Sequence, residues 1–197
     1  MQQSDGMNYA PQGKPAPVVK PGEFVFACAA LDHGHIYGMA NGLKEAGATL
    51  KYVYDPDPAK VEAFLKQYPG TQVADSLGRI LDDPAVHMVA SAAVTSERGR
   101  LGVRVMEAGK DYFTDKAPFT ALDQIDAAKA AVARTGRKYM VYYSERLHVE
   151  CAVYAGQLIR DGAIGRVIQV IGMGPHRLGA PSRPDWFFQK EKYGGIL

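Results

Sequence analysis

The sequence predicts an α/β protein: a doubly wound parallel sheet of the Rossmann kind, followed by an incomplete second α+β domain. Between Glu23 and about Tyr143, short β-branched or aromatic runs alternate with longer helical patterns. That rhythm means βα units, hence a mostly parallel sheet with helices on both faces. Several helices also share one stop signal, a glycine followed at once by the next strand, as in Glu45-Ala46-Gly47, Glu107-Ala108-Gly109 and Arg134-Thr135-Gly136. Glycine takes the left-handed conformation that ends a helix at no steric cost.

The first βαβ unit is the most informative. Residues 24–29 (Phe24-Val25-Phe26-Ala27-Cys28-Ala29) read as a strand, Asp32-His33-Gly34-His35 as a turn, the next residues as a helix closed by Gly47, and Leu50 to Tyr54 as a strand ending at Asp55. In such a unit the turn's backbone N–H groups and the positive end of the helix dipole receive a pyrophosphate. The acidic residue at the second strand's tip accepts from the adenosine ribose. Asp55 lies 55 − 34 = 21 positions after Gly34, close to the roughly 20-residue offset this arrangement needs. Leu31, His33, Gly34, His35 and Ile36 are therefore expected to line the phosphate turn. With Gly34 as the third glycine of the fingerprint, Ala29 and Leu31 fall on the first two positions, and the Leu31 side chain is expected to crowd the phosphate. Asp55 is expected to favour NAD over NADP, whose 2′-phosphate it would repel.

Further strands are expected at 71–74, 86–92, 111–113 and 138–143. Leu101, Val105 and Ala108 share one helical face, as do Leu122, Ile125 and Val132. Asp55-Pro56-Asp57-Pro58 supplies a strand exit and a helix start, since proline is tolerated in a first turn. After Ser144 the pattern changes to a helix near 150–161, a strand at Val167 to Met173, and an irregular stretch from Gly174 to Tyr193. The expected organisation is a flexible leader or extended arm over 1–22, a dinucleotide-binding domain over 23–146, and the beginning of a substrate or oligomerisation domain over 147–197. That last region stops at Gly194-Gly195-Ile196-Leu197 in what reads as the start of another element.

With 197 residues, 47% of them hydrophobic, and a net charge of +2, the chain has ample core and no basic stripe, which argues against a nucleic-acid partner. No apolar run approaches the roughly 18 residues of a membrane span, and the leader carries four prolines and two lysines with no signal-peptide core. Cys28 and Cys151 form no C-x-x-C pair; both are expected to be reduced and buried, as suits a cytoplasmic protein.

Ligands of an open α/β sheet bind outside the carboxyl ends of the strands. Reading those ends gives Asp32 to His35, Asp55, Ala93 to Glu97, Thr114 to Pro118, and Ser144-Glu145-Arg146. Lys116 stands out, because a lysine fixed at a strand tip beside a cofactor crevice can exchange a proton with a substrate hydroxyl. The plainer reading is a surface lysine paired with Asp115.

The strand-turn-helix at 24–47, Tyr54-Asp55-Pro56-Asp57-Pro58, Asp115-Lys116-Ala117-Pro118 and Gly194-Gly195 together resemble the Gfo/Idh/MocA family of NAD(P)-dependent oxidoreductases, over about residues 23 to 197. Asp115-Lys116-Ala117-Pro118 stands for the family's Glu-Lys-Pro signature, with Asp for Glu and one residue inserted. The resemblance implies a Rossmann domain followed by a domain on a large, mostly antiparallel sheet. It also implies hydride transfer between NAD, with NADP the less favoured cofactor, and a hydroxyl-bearing carbon of a sugar, inositol or similar polyol. Lys116 would be catalytic and Arg146 and His176 would contact substrate. Leu31, His33, Gly34, His35, Ile36, Asp55, Ala93 and Lys116 would hold the cofactor, and the full-length form would be a homo-oligomer. Two departures stand against this: the phosphate turn lacks two of its three glycines, and the Asp-x-Gly-x-His motif carrying the family's catalytic histidine does not occur before the chain stops. A non-catalytic nucleotide-binding protein, or a truncated inactive form, is the alternative.

His33-Gly34-His35 is also compatible with a metal pair, although no metal site is expected, because the ligands such a site needs from later strands of a (β/α)₈ barrel are missing. Trp186-Phe187-Phe188, with no partner sheet to cover it, is expected to be an exposed patch inviting association.

Overall fold

The computed structural model describes residues 16–144, 149–173 and 178–195. These pack as two compact units, one of residues 16–142 with 185–195, the other of the described residues between 143 and 184.

The first unit carries six strands: β1 (Val25–Ala29), β2 (Thr49–Tyr54), β3 (Gln72–Val73), β4 (Met88–Ser91), β5 (Asp111–Asp115) and β6 (Tyr139–Tyr142). Their order is β3-β2-β1-β4-β5-β6, all parallel. This is the α/β architecture that the sequence predicts, and its order reverses between β1 and β4, the point at which such sheets open a binding crevice. Helices α1 (His35–Glu45), α2 (Pro58–Gln67), α3 (Leu77–Leu81), α4 (Thr95–Glu107) and α5 (Leu122–Thr135) alternate with the strands. Three of them have a clear local cause. Asp57 caps α2 by accepting from the Ala59 N–H (2.9 Å), Pro58 follows in the first turn, and Ser76 caps α3 through the Arg79 N–H (3.1 Å). Helix α5 ends on Gly136 at φ 67°, as its stop signal predicts.

Side-chain alternation splits the core in two. Phe26, Cys28, Val53 and Ala90 join Ile36, Met39 and Phe64 on one face; Ala27, Ala29, Tyr52 and Val89 join Ile80, Val105, Met106 and Ala131 on the other. Residues 18–22, expected within a flexible leader or extended arm, are tied to this unit. Val18 and Val19 N–H donate to the Ala46 carbonyl, and Gly22 N–H to Thr49 Oγ1 (2.9 Å). A Cβ on Gly47, at φ 100°, would strike the Val19 carbonyl.

The amino edge of the sheet closes over Asp83. Its carboxylate accepts from Lys51 Nζ (2.7 Å), Tyr52 Oη (2.9 Å) and Ala85 N–H (2.9 Å), while buried Lys110 donates to the Asp83 and Val86 carbonyls (2.7 and 2.8 Å).

The second unit holds α6 (Glu150–Arg160) and a 3₁₀ turn at Ala180–Ser182. Val167 to Met173, expected as a strand, forms none: a strand needs a partner for its backbone groups, and no described residue pairs with it. Ile168, Val170, Ile171 and Met173 are more than three-quarters solvent-exposed or close to it, with Met173 at 89%. Helix α6 buries no residue, so Cys151 is exposed rather than buried, whereas Cys28 lies in the core, where burial pushes its thiol pKa up.

Asp185 to Gly195, expected to belong with the later region, pack instead on the sheet unit. Trp186 is buried against Phe187 and Tyr193, Phe187 stacks on His33 (5.6 Å) and Tyr193 (4.6 Å), and a Cβ on Gly194 would meet Thr120 at 2.7 Å. Of the aromatic triplet, Phe188 alone stays largely exposed, at 57%. The helix α7 (Lys190–Tyr193) closes this segment. No helix among the described residues is long and apolar enough to cross a membrane.

Candidate functional site

The carboxyl ends of β1, β2 and β4 surround a cavity of about 280 Å³, lined by Ala30, Asp32, Asp55, Pro56, Ala93, Val94, Glu97, Arg100, Leu101 and Arg104. It opens where the strand order reverses.

The turn after β1 forms one wall. Ala30 is left-handed, at φ 57°, the one non-glycine residue so placed among the described residues. Its N–H donates to the Tyr54 carbonyl and its own carbonyl accepts from Ala92 N–H, both at 3.1 Å, so it joins the tips of three neighbouring strands. A tight turn directly after the first strand is the task of the first fingerprint glycine. The fingerprint therefore runs Ala30, Asp32, His35, one residue later than the glycine spacing predicts. Gly34 has φ −60° and starts α1; a Cβ there would meet nothing within 4 Å, so it is not the glycine that brings helix and strand together.

That shift corrects two expectations. Leu31 does not crowd a phosphate: its side chain packs in the core at 9% exposure, and its N–H donates to Asp55 Oδ2 (2.7 Å). Ile36 is buried as well, and its N–H donates to the His33 carbonyl (3.2 Å). Asp32, in the second fingerprint position, now stands where the backbone should come nearest a pyrophosphate. Its Oδ1 accepts from Lys60 Nζ (2.6 Å) and its Oδ2 from Val94 N–H (3.3 Å). Burial opposes the charge on Lys60, but the hydrogen bond to Asp32 and the carboxylates of Asp32, Asp55 and Asp57 hold its pKa above the usual lysine range.

Asp55 is both strut and candidate ligand. Its carboxylate accepts from Leu31 N–H and, through Oδ1, from Asp57 N–H (2.9 Å), with Lys60 Nζ 3.7 Å away. A carboxylate offers about four lone-pair sites, so capacity remains toward the cavity it lines. Ala93, at the tip of β4, lines the same cavity and its carbonyl accepts from Arg98 Nε (2.7 Å).

A second cluster centres on Asp115, the first residue of the Asp-Lys-Ala-Pro segment. His35 Nδ1 donates to its Oδ1 (2.8 Å), Lys116 N–H to the same oxygen (2.8 Å), and Arg98 Nη2 to Oδ2 (3.2 Å). His33 Nδ1 lies 3.4 Å from Oδ2 and accepts from His35 N–H (3.2 Å). Burial works against ionisation of Asp115, yet the His35 hydrogen bond and the charges of Arg98, His35 and His33 hold its pKa below the usual carboxylate range. Arg98, only 1% exposed, also donates to the Lys116 and Ala117 carbonyls. It thus ties the β4–α4 turn to the segment bearing Lys116. The donor atoms of His33, His35 and Asp115 all lie within 4.8 Å of one another, close enough to hold a metal. A cation there would sit beside the Arg98 guanidinium, so the electrostatics favour the hydrogen-bonded cluster.

Lys116 is half-buried at the tip of β5, and its ammonium has no hydrogen bond or ion pair among the described residues. The pairing with Asp115 that the plainer sequence reading expects is taken by Arg98 and His35 instead. Arg146 and His176 lie outside the described residues.

Arg98, Lys60 and Asp32 join the site through contacts that the linear sequence does not announce. Arg98 was findable: it stands three residues before Leu101 and seven before Val105, on the apolar face of α4, and an arginine there is either an error of pattern or a buried clamp.

Comparison with known proteins gives a consistent result. Residues 33–143 match the model of a family described as "Oxidoreductase family, NAD-binding Rossmann fold". Among curated proteins the chain is 25% identical over 146 residues to D-xylose dehydrogenase of Paenarthrobacter nicotinovorans (70% of this chain, 37% of that protein). It is 29% identical over 148 residues to scyllo-inositol 2-dehydrogenase (NAD(+)) of Bacillus subtilis strain 168 (74% of this chain, 43% of that protein). A solved structure from Erwinia carotovora atroseptica SCRI1043 is 44% identical with a TM-score of 0.83, covering 88% of this chain and 52% of that one. Levoglucosan dehydrogenase shares the fold at 20% identity and a TM-score of 0.69, covering 87% of this chain and 49% of the other. The chain spans less than half the length of either curated relative.

Proposed function

Because the chain belongs to the oxidoreductase family with an NAD-binding Rossmann fold, we propose that it binds a nicotinamide dinucleotide, NAD in preference to NADP. In this reading it serves hydride transfer at a hydroxyl-bearing carbon of a sugar, inositol or similar polyol. One observation carries the reading. The cavity at the reversal of strand order has a carboxylate, Asp55, at the tip of β2 and an apolar wall of Ala30, Pro56 and Leu101, a combination suited to an adenosine. The names of the two curated relatives, both sugar or inositol dehydrogenases, support the substrate class.

When bound, the nicotinamide supplies the hydride acceptor or donor. The chain's own residues do the rest. Asp55 accepts from the ribose hydroxyls with its remaining lone pairs and repels a 2′-phosphate. Lys116, its ammonium uncommitted, orients the substrate hydroxyl and exchanges its proton. Arg98 and Asp115 hold the segment that carries Lys116, and Asp115 fixes His35 with Nδ1 as donor. Arg146 and His176 are proposed as substrate contacts. A cytoplasmic location suits the two free cysteines, and a homo-oligomer is the proposed state of the complete protein.

Titration with NADH and NADPH, followed by nicotinamide fluorescence, tests the reading. NADH is expected to bind at least about tenfold tighter than NADPH, about 1.4 kcal/mol, and Asp55→Asn to narrow that gap. Binding of neither nucleotide would overturn the proposal.

A further inference from the structure

The second position of a dinucleotide fingerprint is glycine so that bare backbone can meet the pyrophosphate. Here the left-handed Ala30 fixes that position as Asp32, which puts a carboxylate where an anion must arrive. Asp32 is not a buried strut, since its side chain keeps 22% exposure and lines the cavity. Nor is it uncompensated. Lys60, in the first turn of α2, reaches across to within 2.6 Å of its Oδ1 and lies 3.7 Å from Asp55 Oδ1. Helix α2 can deliver this lysine because Asp57 caps its start two residues after Asp55. The charges of three carboxylates, Asp32, Asp55 and Asp57, thus act on one ammonium beside the cavity that Asp32 and Asp55 line.

We propose that Asp32 and Lys60 form a charge-compensated gate at the pyrophosphate approach, in which Asp32 weakens dinucleotide binding and Lys60 is the cation that makes it possible. The inference rests on the nicotinamide-nucleotide reading above and adds to it which residues set affinity. Lys60 cancels the repulsion from Asp32 while the site is empty, and shares its charge with the phosphate when the nucleotide enters. The pair acts on the phosphates and not on the adenosine, so its effect should follow the phosphate group from ligand to ligand.

That last property gives the test, made on the whole chain with NADH, ADP and adenosine as probes and calorimetry or fluorescence as readout. Asp32→Asn keeps the side-chain shape and removes the charge. It is expected to tighten NADH and ADP about fivefold or more and to leave adenosine within about twofold, because only the phosphates feel the removed charge. Lys60→Met is expected to weaken NADH and ADP by about tenfold in the parent, and by less than about threefold in the Asp32→Asn background, the non-additivity of two groups in direct contact. Asp32→Gly, which restores the bare backbone, should tighten binding at least as much as Asp32→Asn and serves if the amide variant misfolds. A purely structural ion pair would lower the melting temperature on Asp32→Asn without tightening any ligand. Unchanged or weaker NADH and ADP binding in both Asp32 variants, or an equal gain for adenosine, overturns the gate while leaving the nucleotide reading intact. A parent chain that binds none of the three probes overturns both.

Discussion

At the amino edge of the sheet, Asp83 sits among Lys51, Tyr52, Lys110 and the Ala85 N–H; at the carboxyl edge, Asp115 sits among Arg98, His35, His33 and the Lys116 N–H. Both carboxylates are nearly inaccessible, at 6% and 1% exposure, and both have pKa values held below the usual range: Asp83 chiefly by its hydrogen bond from Lys51, Asp115 by His35 and Arg98 against its own burial. The difference lies in the partners. Those of Asp83 are a lysine, a phenol and backbone, closed over by a buried lysine that is itself tied to two carbonyls. Those of Asp115 include two imidazoles, whose ring nitrogens can each donate or accept a hydrogen bond, and the next residue along is a lysine with an uncommitted ammonium. Equal burial and equal satisfaction of hydrogen bonds thus accompany opposite chemical potential, and what marks the second cluster is the kind of partner rather than the depth.

Variants on the two edges should separate accordingly. The largest effect is expected from Arg98→Leu, which strips the cation from a buried carboxylate and the donor from the Ala93, Lys116 and Ala117 carbonyls. About 3–5 kcal/mol of stability should be lost in urea unfolding, and a loss under about 1 kcal/mol would show that water fills the gap. Next comes Lys116→Met. Wherever the protein turns over substrate, kcat should fall roughly 10²-fold while NADH affinity stays within about twofold; turnover near the parent's would return Lys116 to the surface. Asp83→Asn is expected to cost about 1–3 kcal/mol, the scale for disturbing a buried hydrogen-bonded group, and to leave NADH affinity unchanged. If it altered affinity, the contrast between the edges would fail. The smallest effect is on acid stability. Both carboxylates have depressed native pKa values, so their contribution is complete above the unfolded value of about 3.9 and is lost as pH falls through the native values. Stability measured by denaturant at several pH values should decline below about pH 4, and less steeply in Asp83→Asn.

The parallel α/β layering was legible because the glycine stops of α1, α4 and α5 are local and repeated signals, whereas the face expected for α5 was not: Leu122 and Val132 are exposed, and Ala128 and Ala131 are buried instead. The site was legible less evenly. As candidates, Asp55 and Lys116 stand out by their places at strand tips, whereas the fingerprint falls one residue later than its lone glycine suggests, because the chain puts the left-handed turn on an alanine. Lys60 and Arg98 act through contacts 28 and 17 residues away in sequence, which no local pattern encodes. Val167 to Met173 shows the reverse failure. Its β-branched run is a good strand in propensity, but a strand is a property of two segments, and no described residue supplies the second.

The left-handed Ala30 has one more consequence, which concerns the order in which the molecule comes apart. An L-residue other than glycine in this conformation costs roughly 1–2 kcal/mol, and here two backbone hydrogen bonds, from Ala30 N–H to Tyr54 and from Ala92 N–H to Ala30, hold it in place. Any local opening that breaks them also releases the strain, so opening at this point should need less free energy than at the fully buried strand centres. The amide protons of Ala30 and Ala92 should therefore exchange with solvent earlier than those of Cys28 and Ala90, a weak seam running across three strand tips in an otherwise slow-exchanging sheet.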